Sequence, residues 1–134
     1  MSKQVTFGAV IAGGLVVAGL ASVAAQAPAF KRTILQQVDL STPGREAVTA
    51  VVEFPSGSET GRHTHPGEEI SYVESGPFIL EVDGEPARTL KAGEAFMVPP
   101  GKVHNGHPGP GGTAKVVATY VIEKGKPVTT PAPA

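Results

Sequence analysis

The sequence predicts an all-β fold in a single domain, and three observations carry that expectation. Its 134 residues fit one core and are too few for two. Gly (17) and Pro (13) punctuate the chain at short intervals, with Val and Ile clustered between them, as in strands joined by tight turns. No internal repeat and no amphipathic helix of useful length interrupts the pattern. About eight short strands without intervening helices suggest a barrel or a two-sheet sandwich, with the strand order open.

Residues 1–25 stand apart from this pattern. Lys3 precedes an almost wholly apolar run from Val5 to Ala25, which reads as a secretory signal peptide. Cleavage after Val23-Ala24-Ala25 is favoured over Ala25-Gln26-Ala27, because Pro28 would hinder a cut before it, so the mature chain starts near Gln26. The alternative is an uncleaved membrane anchor, since about 20 apolar residues span a bilayer. Either way the folded part is expected outside the cytoplasm, periplasmic or secreted, with no stable membrane span after cleavage. The absence of cysteine rules out disulfides and thiolate metal sites. Removing Lys3 with the leader leaves ten basic against twelve acidic residues, a formal charge of -2 with no basic stripe, so nucleic acid is not an expected partner.

Phe30 to Leu40 is mixed in pattern and reads as an edge or exchanged strand, ended by the turn Ser41-Thr42-Pro43-Gly44. Strands are predicted at Glu46–Phe54, briefly at Arg62–His65, and at Glu69–Glu74, where Glu69, Ser71 and Val73 share a face. Phe78–Val82 and Ala87–Leu90 flank the hairpin signal Asp83-Gly84. Ala95–Val98 and Val116–Ile122 complete the set, and Pro99-Pro100-Gly101 keeps the stretch around His104 out of helix. The folded domain is expected over residues 30–125, followed by a Pro-rich disordered tail, 126–134.

The chemistry concentrates in one short stretch. In extended chain, His63 and His65 project from the same face, and Pro66-Gly67 allows a reversal that returns Glu69 toward them. Glu68 then points the other way, toward solvent. Two imidazoles and a carboxylate form a facial set suited to a divalent transition ion. Of the two remaining histidines, His104 and His107, strand pairing could bring one back to the first pair.

Gly57, five residues, His63-x-His65, three residues, Glu69, six residues and Gly76 match the first motif of the cupins at every defined position, and the sequence resembles that family. Its second motif is matched at Gly93, Pro99, Gly101 and His104, while the final asparagine is replaced by Pro108. Asn105 lies three residues before it. The resemblance spans roughly residues 45 to 125 and is to small single-domain cupins similar to the quercetin-dioxygenase-like members. It implies a jelly-roll barrel with His63, His65, Glu69 and His104 around one divalent ion (Fe, Mn, Ni, Cu or Zn).

The same resemblance implies a metal-dependent, dioxygenase-like oxidoreductase acting on a small enolic, phenolic or carboxylate substrate. The alternatives are a Lewis-acid lyase, isomerase or decarboxylase, and a non-catalytic periplasmic small-molecule binding module. Glu69 is also the candidate catalytic group, acting as acid or base on leaving the metal. His107, between Gly106 and Pro108, is expected on an exposed loop, and Tyr72, opposite in phase to Glu69, on an outer face. The four motif glycines, Gly57, Gly76, Gly93 and Gly101, are expected at turns where a positive φ is easiest. A barrel of this size has little core for its surface, and a homodimer is expected.

Overall fold

The computed structural model describes residues 25–134, so the expected leader lies outside the described residues apart from Ala25. The described chain is all-β: β1 (Lys31–Asp39), β2 (Arg45–Phe54), β3 (His63–Thr64), β4 (Gly67–Ser75), β5 (Phe78–Val82), β6 (Arg88–Leu90), β7 (Ala95–Val98), β8 (His104–Pro108), β9 (Ala114–Glu123) and β10 (Thr130–Pro131). They form two antiparallel five-stranded sheets, ordered β1-β2-β9-β4-β7 and β10-β3-β8-β5-β6. No described helix is long and apolar enough to cross a membrane.

Period-two alternation builds the interior. Val48, Ala50, Val52 and Phe54 of β2 face inward, as do Ala114, Val116, Ala118, Tyr120 and Ile122 of β9. Phe78 and Leu80 from β5 meet them from the opposite sheet, and Phe96 and Val98 from β7 extend the inner face of their own. A run of rings, Phe30–Phe54–Phe78–Phe96, has centroids 5.8, 5.4 and 5.5 Å apart and links three sheet segments through the core. Ile70 and Tyr72 face outward from β4, the phase expected for Tyr72.

The structure corrects the sequence-based expectation at both ends of the site. The tail is not disordered: β10 pairs antiparallel with β3, Ala132 N donates to Arg62 O at 2.9 Å, and Val128 packs against the core. Its Pro-rich composition carries no strand periodicity, and pairing through only two residues needs none. His107 lies within β8 rather than on a loop, half-buried, because the short strand continues past His104 as far as Pro108. Three of the motif glycines do adopt a positive φ, but Gly76 does not. It is instead confined by Leu90 O, which a Cβ there would approach to 3.1 Å.

Two close approaches shape the barrel. Gly67, paired with Ile122, lies so near β9 that a Cβ would fall 1.8 Å from Val121 O. Gly106 accepts the Phe78 ring where a Cβ would meet Cζ at 2.5 Å. A methyl at Gly67 has a main-chain atom in its way and no flexible side chain to displace. We expect Gly67→Ala to cost about 3 kcal/mol or more, read from urea denaturation; an unchanged midpoint would contradict this packing.

Candidate metal centre

Both sheets contribute to the site. His63 on β3 pairs directly with His104 on β8, and Glu69 enters from β4 in the opposite sheet, with His65 in the connection just before it. All four predicted ligands are brought together and buried, and their ligand atoms lie within 4.8 Å of one another. Their neighbours Glu68 and Tyr72 turn away, Glu68 pairing with Arg45 at 3.1 Å.

Hydrogen bonds fix the protonation pattern of the three rings. His63 Nδ1 donates to Gly61 O at 2.7 Å, His65 Nδ1 to Val128 O at 2.5 Å and His104 Nδ1 to Lys102 O at 2.9 Å. A carbonyl only accepts, so each Nδ1 carries the hydrogen and each neutral ring keeps its lone pair on Nε2. Those lone pairs converge: His63 Nε2 is 3.2 Å from His65 Nε2, and Glu69 Oε2 is 3.0 Å from both His65 Nε2 and His104 Nε2. With the rings neutral, the four acceptors turn on one another with no hydrogen between them, and a cation at their centre, a metal ion or a proton shared with Glu69, satisfies them. Bonds of about 2.1 Å at right angles put adjacent ligand atoms about 3.0 Å apart, the spacing of these contacts, so the donor set fits a divalent ion.

The local electrostatics match that fit. Burial pulls His63 down to about 4, against the opposing Gly61 hydrogen bond, and the neighbouring imidazoles add to the fall. The ring is therefore neutral near pH 7 and able to ligate. Burial would raise Glu69, but in the metal-free protein hydrogen bonds from His104 and His65, which need a proton on Nε2, outweigh this and hold the carboxyl well below the usual range; a metal ion would take the place of that proton. Ser71 Oγ donates to Glu69 Oε1 at 2.8 Å, leaving Oε2 for the centre.

A cavity opens beside the donor set. Its void is about 340 Å³ counting the open mouth, but only about 20 Å³ is wide enough for the centre of a water molecule. Val52, Phe54, Phe78, Leu80, Phe96 and Val116 form apolar walls, and Arg32, Thr60 and Tyr120 are its polar members besides the ligands. Burial, helped by the Glu69 charge, raises the Tyr120 phenol above its ordinary value. Sequence reasoning missed these three residues. Tyr120 was visible in the inward phase of VVATYVI, whereas Arg32 and Thr60 sit in stretches without periodicity. His107 lies outside, its Nε2 3.5 Å from Glu81 Oε1, and does not join the four.

Asn105 braces the site from behind. It donates to Glu59 and Glu81 at 2.8 and 3.1 Å and accepts from Thr60 Oγ1 at 3.1 Å, tying the segment before β3 to β8. That segment carries the Gly61 carbonyl on which His63 depends.

Two sheets closing over three imidazoles and a carboxylate define a small jelly-roll protein with a buried metal-binding cluster. The model of the cupin domain family matches residues 50–128, and the chain belongs to that family. Among solved structures, a cupin-like protein from Thermotoga maritima is 23% identical with a TM-score of 0.67, over 78% of this chain and 77% of that one. The DMSP lyase DddQ from Ruegeria pomeroyi is 21% identical with a TM-score of 0.64, over 77% of this chain but 51% of its own. KdgF from Halomonas sp. is 26% identical with a TM-score of 0.55, over 72% and 81%. No curated protein matches the chain.

The buried imidazole gives the metal-free protein a pH signature. His63 is held below its unfolded value of 6.5, so the unfolded chain binds more protons between the two values. Stability is then complete above about pH 6.5 and declines as pH falls toward 4. Glu69, also depressed, adds its loss only below its unfolded value of 4.5. In EDTA we expect the unfolding free energy to drop by on the order of 2 kcal/mol from pH 7 to pH 5, with the slope much reduced in His63→Gln. An equal slope in the variant would assign the effect elsewhere.

Proposed function

We propose that the protein is a divalent-metal-dependent oxidoreductase of the dioxygenase type acting on a small molecule. The supporting observation is the poverty of the cavity in proton-transfer groups. Apart from the ligands, its titratable members are Arg32 and Tyr120, and the phenol is pushed further from neutrality. Eliminations and isomerisations need an acid or base poised near the working pH. Mostly apolar walls beside a metal suit dioxygen, with a small substrate entering from the open mouth. Glu69, the one candidate acid-base group, is held as a ligand in this reading, its Oε1 engaged by Ser71.

When bound, the ion supplies a Lewis-acidic centre with open positions and, for a redox-active metal, a path for electrons. The chain's own residues do the rest. The imidazoles, fixed through Nδ1, present unprotonated Nε2 atoms, and Glu69 offsets part of the ionic charge. Phe54, Phe78 and Phe96 give the chamber an apolar wall.

An oxygen electrode tests this reading on protein loaded separately with iron, manganese, nickel, copper and zinc, against small enols, phenols and carboxylates. Oxygen uptake with a redox-active ion and none with zinc is the expected result. Conversion without uptake, retained with zinc, would replace it by Lewis-acid lyase or isomerase chemistry. Stabilisation by a ligand that is never converted would indicate a binding module.

We also infer export and self-association. The lysine and apolar run at the N-terminus support a leader, and a chain without cysteine meets no hazard outside the cytoplasm. Ile34, Leu35, Val38, Ile70, Tyr72 and Met97, the large apolar side chains exposed among the described residues, all belong to one sheet, β1-β2-β9-β4-β7. A second copy packed against this sheet and its β1 edge would cover them. Native mass spectrometry of the periplasmic fraction should give twice the mass of a chain beginning near Gln26. A monomer, or a subunit retaining residues 1–25, would refute the corresponding half.

A further inference from the structure

Arg32 is out of character for its strand. Every other residue of β1 is exposed, whereas Arg32, paired with the inward-facing Val52, is half-buried and lines the cavity beside the donor set. Arg45 and Arg62 each face a carboxylate at 3.1 Å or less, but Arg32 has no such partner among the described residues, and residues 1–24 contain no Asp or Glu. Its Nη1 donates to Thr129 Oγ1 at 3.2 Å, and its guanidinium carbon lies 5.6 and 5.4 Å from the ring centres of Phe30 and Tyr120. Its Nε is buried and hydrogen-bonds to nothing. Two rings and one threonine thus hold a cation in place while leaving part of its donor fork unused.

We propose that Arg32 binds the carboxylate of the small substrate, with the other end of the molecule turned toward His63, Glu69 and His104. A planar guanidinium with a free donor is suited to a carboxylate, which accepts two parallel hydrogen bonds from it. Charge points the same way. A divalent ion on three neutral imidazoles and one carboxylate keeps a net positive charge, Arg32 adds another, and apart from the uncharged Thr60 and Tyr120 the remaining walls are apolar. The chamber therefore favours an anion, and its narrowness limits the ligand to a short-chain acid. Arg32 lies outside residues 50–128, so the specificity belongs to this chain's own N-terminal strand and not to the matched domain. The position of the far end rests on the metal-centre reading; the contact with Arg32 does not.

The test uses the mature chain, metal-free and zinc-loaded, with propionate, its neutral isostere propionamide, and succinate, followed by calorimetry and thermal shift. In metal-free protein, propionate should bind and raise the melting midpoint while propionamide does neither. Arg32→Gln should weaken propionate at least tenfold, and Arg32→Lys should restore part of the loss. With zinc, succinate should exceed propionate by a further tenfold. If that zinc-dependent gain is missing while the Arg32→Gln loss remains, the metal reading fails and the carboxylate site stands. Equal response of the metal-free wild type to propionate and propionamide would overturn the proposal, as would wild-type propionate affinity in Arg32→Gln. Should Arg32→Gln fail to fold, the wild-type acid-against-amide comparison and Arg32→Lys decide alone.

Discussion

The site depends on three main-chain carbonyls, those of Gly61, Lys102 and Val128. Each takes the Nδ1 hydrogen of one histidine and so decides where that ring's lone pair goes. Without them the rings could turn or exchange tautomers, and the four acceptors would no longer oppose one another. The carbonyls come from three separated parts of the chain, the approaches to β3 and β8 and the segment before β10. The donor set is therefore a property of the closed barrel and not of the His63-x-His65 segment alone.

Closure in turn rests on packing that leaves little tolerance. Glu69 reaches the histidines only because Gly67 lets β4 lie tightly on β9, and Gly106 gives way to the Phe78 ring behind His104. The ring stack from Phe30 to Phe96 fills the space beyond the ligands, so that the polar cluster sits against an apolar body. Burying four polar side chains in such surroundings is unfavourable unless each is matched. Nδ1 atoms are matched by carbonyls and Glu69 Oε1 by Ser71, which leaves the convergent atoms as the part of the network completed by a cation.

Much of this was legible in the residue order. The face shared by Glu69, Ser71 and Val73 follows from alternation alone, and the spacing of His63, His65 and Glu69 around Pro66-Gly67 was enough to foresee three ligands. His104 needed the second motif, because its approach to His63 is a long-range pairing that no local pattern encodes. The tail escaped for a related reason. β10 is two residues long and one of them is proline, so its pairing with β3 follows from the position of the partner strand and not from its own propensity. Asn105 stands where the motif is displaced, yet it ties Glu59, Thr60 and Glu81 together behind the ligands.

The two ends of the described chain meet over the cavity, and this gives the molecule its individual character. Arg32 comes from β1, ahead of the matched domain, while Val128 closes that domain and Thr129 succeeds it. One hydrogen bond, Arg32 Nη1 to Thr129 Oγ1, joins the strand that lines the mouth to the segment that orients His65. A change in how Arg32 is held is thus felt within two residues of a carbonyl on which a ligand depends. The central strands supply a metal-binding arrangement shared with a large family, and the flanking segments decide what is admitted to it. The chemistry of this chain is accordingly to be sought in its ends as much as in its motif.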